Sequence, residues 1–170
     1  MDTESRRKKI VETLSHNDTP INASKLAKEF DVSRQIIVGD VAILRAEGYE
    51  IEATSRGYLL AKNQRYGYIG IIAACHGKDR IREELNTIVD YGGTCIDVSV
   101  EHIVYGELTG LLNISSRYQV EEFISQIEKD GKPLSYLSEG VHLHKIGTES
   151  QEIFELIKKD LDEKDLLYKN

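Results

Sequence analysis

The sequence predicts an α+β protein of two modules: three short helices and a hairpin, then an α/β sandwich with a mostly antiparallel sheet. Three observations carry this reading. Caps and apolar stripes at helical spacing recur through residues 1–61. After residue 66 the pattern changes to alternating strands and helices. The charge changes at the same place. Residues 1–62 hold ten Lys/Arg and ten Asp/Glu, whereas the remainder holds twelve and nineteen and so carries the whole net charge of −7. An acidic whole argues against indiscriminate binding to nucleic acid, but leaves room for a local basic face on the neutral first module.

In the first module, Ser5 is placed to cap a helix whose apolar stripe is Ile10, Val11 and Leu14, ended by Asn17-Asp18-Thr19-Pro20. His16, at its end, has a capping role. Asn22 caps a second helix, Ala23 to Phe30, with Leu26, Ala27 and Phe30 inward. Ser33 caps a third, which runs to about Glu47 and stops at Gly48. Its Ile37, Val41 and Leu44 face a core, and Arg34, Gln35, Val38, Gly39, Ala42 and Arg45 face outward. Short strands near Tyr49–Ala53 and Tyr58–Leu60 flank the turn Thr54-Ser55-Arg56-Gly57, with Gly57 suited to a positive φ.

Three helices followed by a hairpin is the order of a winged helix-turn-helix. The string Ser33-Arg34-Gln35, with Asp40, Leu44 and Arg45 beyond it, resembles the winged helices of biotin-repressor-type bacterial regulators. The third helix would then enter the major groove of double-stranded operator DNA, with Ser33, Arg34 and Gln35 at its start. Arg6, Arg7, Lys8, Lys9, Lys25, Lys28, Arg45 and Arg56 would supply backbone contacts.

Ala61-Lys62-Asn63-Gln64 reads as a linker to a second module, residues 66–170. There Tyr68–Cys75 reads as a buried strand and Lys78–Tyr91 as a helix. Cys95–Val100 reads as a strand that continues through His102–Leu112. Ser116 caps a helix to about Lys129. Strands are expected near Leu134–Leu137 and at Val141–Ile146. A last helix spans Glu149–Asp160 with Ile153, Leu156 and Ile157 inward. Four or five strands with helices on one side complete the sandwich. Cys75 and Cys95 read as buried free thiols in a reducing compartment. No run of eighteen apolar residues exists, and Met1-Asp2-Thr3-Glu4 opens without an apolar signal segment, so no membrane span and a cytoplasmic location are expected.

Chemistry concentrates in His142-Leu143-His144, whose imidazoles share one face of a strand. Two adjacent neutral imidazoles are costly to keep unless something binds them, and a divalent metal is their commonest shared partner. His76, after the first strand, and a carboxylate on the following helix would complete the set; Glu83 and Glu84 point about 100° apart on a helix. Three imidazole nitrogens and one carboxylate oxygen suit zinc, nickel, cobalt or iron(II).

Three segments of this module resemble the three-histidine regulatory domain of niacin-responsive repressors of NAD biosynthesis. They are His76 with Ile81-Arg82-Glu83-Glu84-Leu85, Asp97 through Gly106, and Leu137-Ser138-Glu139-Gly140-Val141-His142-Leu143-His144. With the winged helix, the likeness covers nearly the whole chain. It implies Glu84 as the carboxylate ligand, and a cytosolic homodimer that binds nicotinate as co-repressor and controls genes of NAD synthesis or niacin uptake. His102 and Tyr105 would line the effector pocket, where a protonated imidazole, a tyrosine hydroxyl or an open metal position can bond the nicotinate carboxylate. Two other functions fit the ligand set: a regulator for which the metal is itself the signal, and a metal-dependent enzyme fused to a DNA-binding module. No Gly-rich phosphate loop, HExxH motif or obvious nucleophile–base pair supports the enzyme.

Overall fold

The computed structural model describes residues 1–61 and 66–169. The chain divides into two compact units, Met1–Gln64 and Arg65–Asn170. The linker expected over Ala61–Gln64 lies, beyond Ala61, outside the described residues. Among the described residues no helix is long and apolar enough to cross a membrane.

The first unit contains helices α1 (Thr3–Ser15), α2 (Ala23–Glu29) and α3 (Arg34–Ala46), then the antiparallel hairpin β1 (Ile51–Thr54) and β2 (Gly57–Leu60). Asn22 and Ser33 cap α2 and α3 as the sequence predicts, each accepting a backbone N–H three residues on. Ser5 does not cap α1. Asp2 does, because its carboxylate accepts both the N–H (3.0 Å) and the hydroxyl (2.8 Å) of Ser5. Ile10, Leu14, Leu26, Ile37, Val41 and Leu44 form the core with Ile51. Gly57 takes the expected positive φ, +132°.

Two further residues of this unit differ from expectation. Val38 is half-buried against the core rather than outward. Arg6, expected on the DNA backbone, is only 8 % exposed. Its Nε donates to Asp40 Oδ2 at 2.6 Å, and Arg7 Nε donates to Asp40 Oδ1 at 3.1 Å. Asp40 is itself buried on α3. This ion triad ties α1 to the third helix, a use that a list of exposed-looking arginines cannot reveal.

The second unit is built from β3 (Tyr68–Cys75), α4 (Ile81–Asp90), β4 (Thr94–His102), β5 (Gly106–Ile114), α5 (Arg117–Asp130), β6 (Val141–Thr148) and α6 (Gln151–Glu163). Its strands run β5-β4-β6-β3, and every neighbouring pair is antiparallel. Ile72, Cys95, Leu112, Ile114 and Ile146 pack against Ile81, Leu85 and Ile88 of α4, Val120, Ile124 and Ile127 of α5, and Phe154, Ile157 and Leu161 of α6. Ile69 and Ile71 alternate onto the other face of β3 and are exposed.

Three expected elements change. The single strand through His102–Leu112 is a hairpin: β4 ends at His102, which pairs with Gly106 at φ +74°. Its turn residues Ile103, Val104 and Tyr105 are β-branched or aromatic, so alternation there looks like more strand. Leu134–Ser138 is a short 3-10 helix behind Pro133, not a strand. On α6 the inward stripe is Phe154, Ile157 and Leu161, and Leu156 faces solvent.

Candidate metal centre

α4 carries its apolar residues at Ile81, Leu85 and Ile88, and Glu84 stands in the same stripe. A carboxylate at a core position of an amphipathic helix is expensive unless a cation meets it. Glu84 is 1 % exposed. Glu83, one position round, points to solvent and pairs with Arg80 at 2.9 Å.

Three imidazoles meet Glu84. In the β3–β6 register His142 lies opposite Ala74 and His144 opposite Ile72, so both rings enter the helix-covered face. His76 follows the last residue of β3. The rings of His76 and His142 are 4.8 Å apart and those of His142 and His144 4.9 Å apart, each pair edge to face. Nε2 of His76 lies 2.7 Å from Glu84 Oε2, that of His142 3.2 Å and that of His144 3.3 Å. Ligand atoms of His76, Glu84 and His142 all lie within 4.8 Å of one another. Ligands at 2.0–2.1 Å from a tetrahedral ion are about 3.3 Å from each other, close to the His142 and His144 separations.

The far side of each ring decides the chemistry. Nδ1 of His76 donates to the carbonyl of Gly77 (3.0 Å), that of His142 to Gly140 (2.8 Å), and that of His144 to Asp97 (2.6 Å). A carbonyl only accepts, so each Nδ1 carries the proton. In the neutral rings every Nε2 is then a lone pair aimed at a carboxylate that also only accepts. Protons or a metal cation resolve that opposition, and carbonyl-tethered imidazoles are the usual outer support of a metal site.

The electrostatics agree. Burial alone raises the pKa of Glu84, but the three histidines overcome it and hold the carboxyl well below its ordinary range. Burial likewise lowers His76 and His144. Glu84 overrides it at His76, and Cys95 and Glu84 together override it at His144, so both hold a proton more firmly than a free imidazole.

Two residues that the sequence did not assign to the site support it. Asp97 is 3 % exposed; besides its carbonyl bond to His144, its Oδ1 accepts the N–H of Lys145 at 3.1 Å. Cys95 Sγ lies 3.3 Å from His144 Nδ1. The available signal was an aspartate inside the apolar strand Cys95–Val100.

A small cavity of about 30 Å³ lies against Glu84, His142 and His144, walled by Val98, Leu112, Phe123 and Leu134. A larger cleft of about 450 Å³ is lined by His76, Lys78, Ser135, Tyr136 and Glu139. His102 and Tyr105 line neither. They sit at the β4–β5 turn, rings 5.0 Å apart, with His102 Nδ1 accepting the N–H groups of Val104 and Tyr105.

In the first unit, Ser33, Arg34, Gln35 and Arg45 are all exposed on α3 or at its cap. Arg56 is half-buried in the hairpin turn, where its N–H donates to Thr54 Oγ1 at 3.2 Å. Exposed Gly39 lies mid-helix, and a Cβ there would meet nothing within 4 Å.

Residues 6–59 match the family of HTH domains, and residues 69–170 match the 3H domain. The chain is 42 % identical to the probable transcription repressor NiaR of Thermotoga maritima over 96 % of its own length and 94 % of the relative's. It is 38 % identical to the transcription repressor NadR of Bacillus subtilis over 98 % and 94 %. A DNA-binding helix-turn-helix and near full-length likeness to two repressors make the protein a regulator rather than an enzyme. The chain belongs to the family of transcription repressors, represented by NiaR and NadR, that join a helix-turn-helix domain to a 3H domain.

Proposed function

We propose that the protein is a cytoplasmic, homodimeric repressor of genes for NAD synthesis or niacin uptake. Nicotinate is its co-repressor, and one divalent transition metal (zinc, nickel, cobalt or iron) is held by His76, Glu84, His142 and His144. The observation that carries the metal is the convergence of three Nε2 lone pairs on a buried carboxylate, each ring tethered through Nδ1 to a carbonyl. A cation held by these residues would neutralise Glu84 and link β3, α4 and β6. A set of four protein ligands would suit a structural or sensing ion rather than a catalytic one.

The effector reading rests on the cleft beside His76. Its volume of about 450 Å³ suits a small aromatic acid, Lys78 offers an ammonium for the carboxylate, and Tyr136 offers a ring face. On the DNA side, Arg34 and Gln35 read base edges, Ser33 caps the helix beside a phosphate, and Arg45 and Arg56 contact the backbone. Two copies would address half-sites about one helical turn apart.

Linkage between effector and operator sets the test. Gel-shift titration on duplexes from upstream of NAD-synthesis genes, at fixed zinc, is expected to show operator affinity rising about 5–150-fold with nicotinate. No change, or release of DNA, contradicts the co-repressor reading. Full operator affinity restored by adding metal back to chelated protein, with nicotinate absent, identifies a metal-responsive regulator instead.

A further inference from the structure

The outer midline of α3 raises a question that the fold does not answer. At about 100° per residue, Gln35, Gly39, Ala42 and Ala46 lie opposite the buried Ile37, Val41 and Leu44. The middle of this 13-residue helix is therefore bare, with a glycine at its centre. Glycine is among the worst residues for a helix interior. Nothing in the fold requires it: Gly39 is exposed, its φ is not positive, and an added Cβ would have open space. Beside the bare midline, Ile36 and Ile43 are 43 % and 40 % exposed, although the core is complete without them. Arg34 and Arg45, at the two ends of the helix, lie on its opposite flank. The module is a helix-turn-helix, so the missing side chain has an outside partner available.

We propose that Gly39 sets operator specificity by letting the α3 backbone close onto the C5-methyl group of a thymine in the major groove, with Ile36 and Ile43 flanking that contact. The thymine methyl is the one apolar group on the groove floor. A bare Cα admits it, and Cβ atoms push the helix away. This rests on the DNA-binding role of the module, and the test separates the two.

The full-length protein, loaded with zinc and nicotinate, selects from duplexes whose random core is about 30 base pairs, enough for two half-sites. The enriched consensus, copies with single thymine-to-deoxyuridine changes, and a scrambled duplex then serve as anisotropy probes for the wild type, Gly39→Ala and Gly39→Leu. Gly39→Ala is expected to raise the melting temperature, because it relieves the helix. It is also expected to weaken consensus binding by about tenfold or more, within the range of one lost base contact. Binding to the scrambled duplex stays within about twofold, since phosphate contacts are untouched. Gly39→Leu loses more. One deoxyuridine change costs the wild type several-fold and costs Gly39→Ala nothing. The proposal is overturned if Gly39→Ala binds the consensus as tightly as the wild type, if it melts lower, or if no deoxyuridine change matters to the wild type. If the wild type enriches no sequence at all, the DNA-binding role itself fails, and the proposal with it.

Discussion

Alanine at both His142 and His144 is expected to lower bound metal from one ion per chain to nearly none, with affinity reduced by more than about a hundredfold. Elemental analysis after gel filtration reads this directly, and unchanged stoichiometry contradicts the assignment. Glu84→Gln is the complementary change, because it keeps the volume at a position only 1 % exposed and removes the charge that the histidines share. The same variants lose the rise in melting temperature that metal confers; an ion at a thousand times its dissociation constant adds about 4 kcal/mol. The metal-free protein has a pH signature of opposite signs. His76 and His144 hold protons more firmly when folded, so their contribution is full below the ordinary imidazole value near 6.5 and is lost as pH rises through their folded values. Glu84 is shifted down, so its contribution is present above the ordinary carboxyl value near 4.5 and is lost as pH falls through its folded value. Chelator-treated protein should therefore lose melting temperature as pH is raised from neutral into the alkaline range. Metal-loaded protein should not, and metal affinity should climb as protons leave the rings.

Asp40→Ala is expected to destabilise the first unit by about 3 kcal/mol or more, because it leaves the buried guanidinium of Arg6 without its 2.6 Å partner. For a module of this size that is a fall of more than about 10 °C in melting temperature. Operator binding falls with it, since Arg6, Arg7 and Asp40 seat α3 against α1. The double change Arg6→Met with Asp40→Leu, which replaces the triad by apolar contact, should recover much of the stability. A loss below about 0.5 kcal/mol in Asp40→Ala would mark the triad as an incidental surface pair.

Caps and stripes made the helices legible. Ser33 and Asn22 accept the expected N–H groups, and Ile37, Val41 and Leu44 are buried as their spacing requires. Legibility failed where one local pattern serves two structures. Ile103, Val104 and Tyr105 continue an alternation that the backbone abandons at the β4–β5 turn, and Leu134–Leu137 alternates like a strand while forming a tight helix. The histidines were visible because two imidazoles two apart on a strand share a face. The choice of Glu84 over Glu83 needed the family likeness, although the stripe Ile81, Leu85, Ile88 already held it. The carbonyl tethers and the Arg6–Asp40 contact were not legible, because both depend on which backbone segments tertiary packing brings together.

X-ray absorption at the zinc edge of the zinc-loaded protein reads the ligand set of His76, Glu84, His142 and His144. Four nitrogen or oxygen neighbours at about 2.0–2.1 Å are expected, with the multiple-scattering signature of three imidazoles. A sulfur neighbour near 2.3 Å, which would bring Cys95 into the coordination sphere, or a shell dominated by water oxygens, would contradict it.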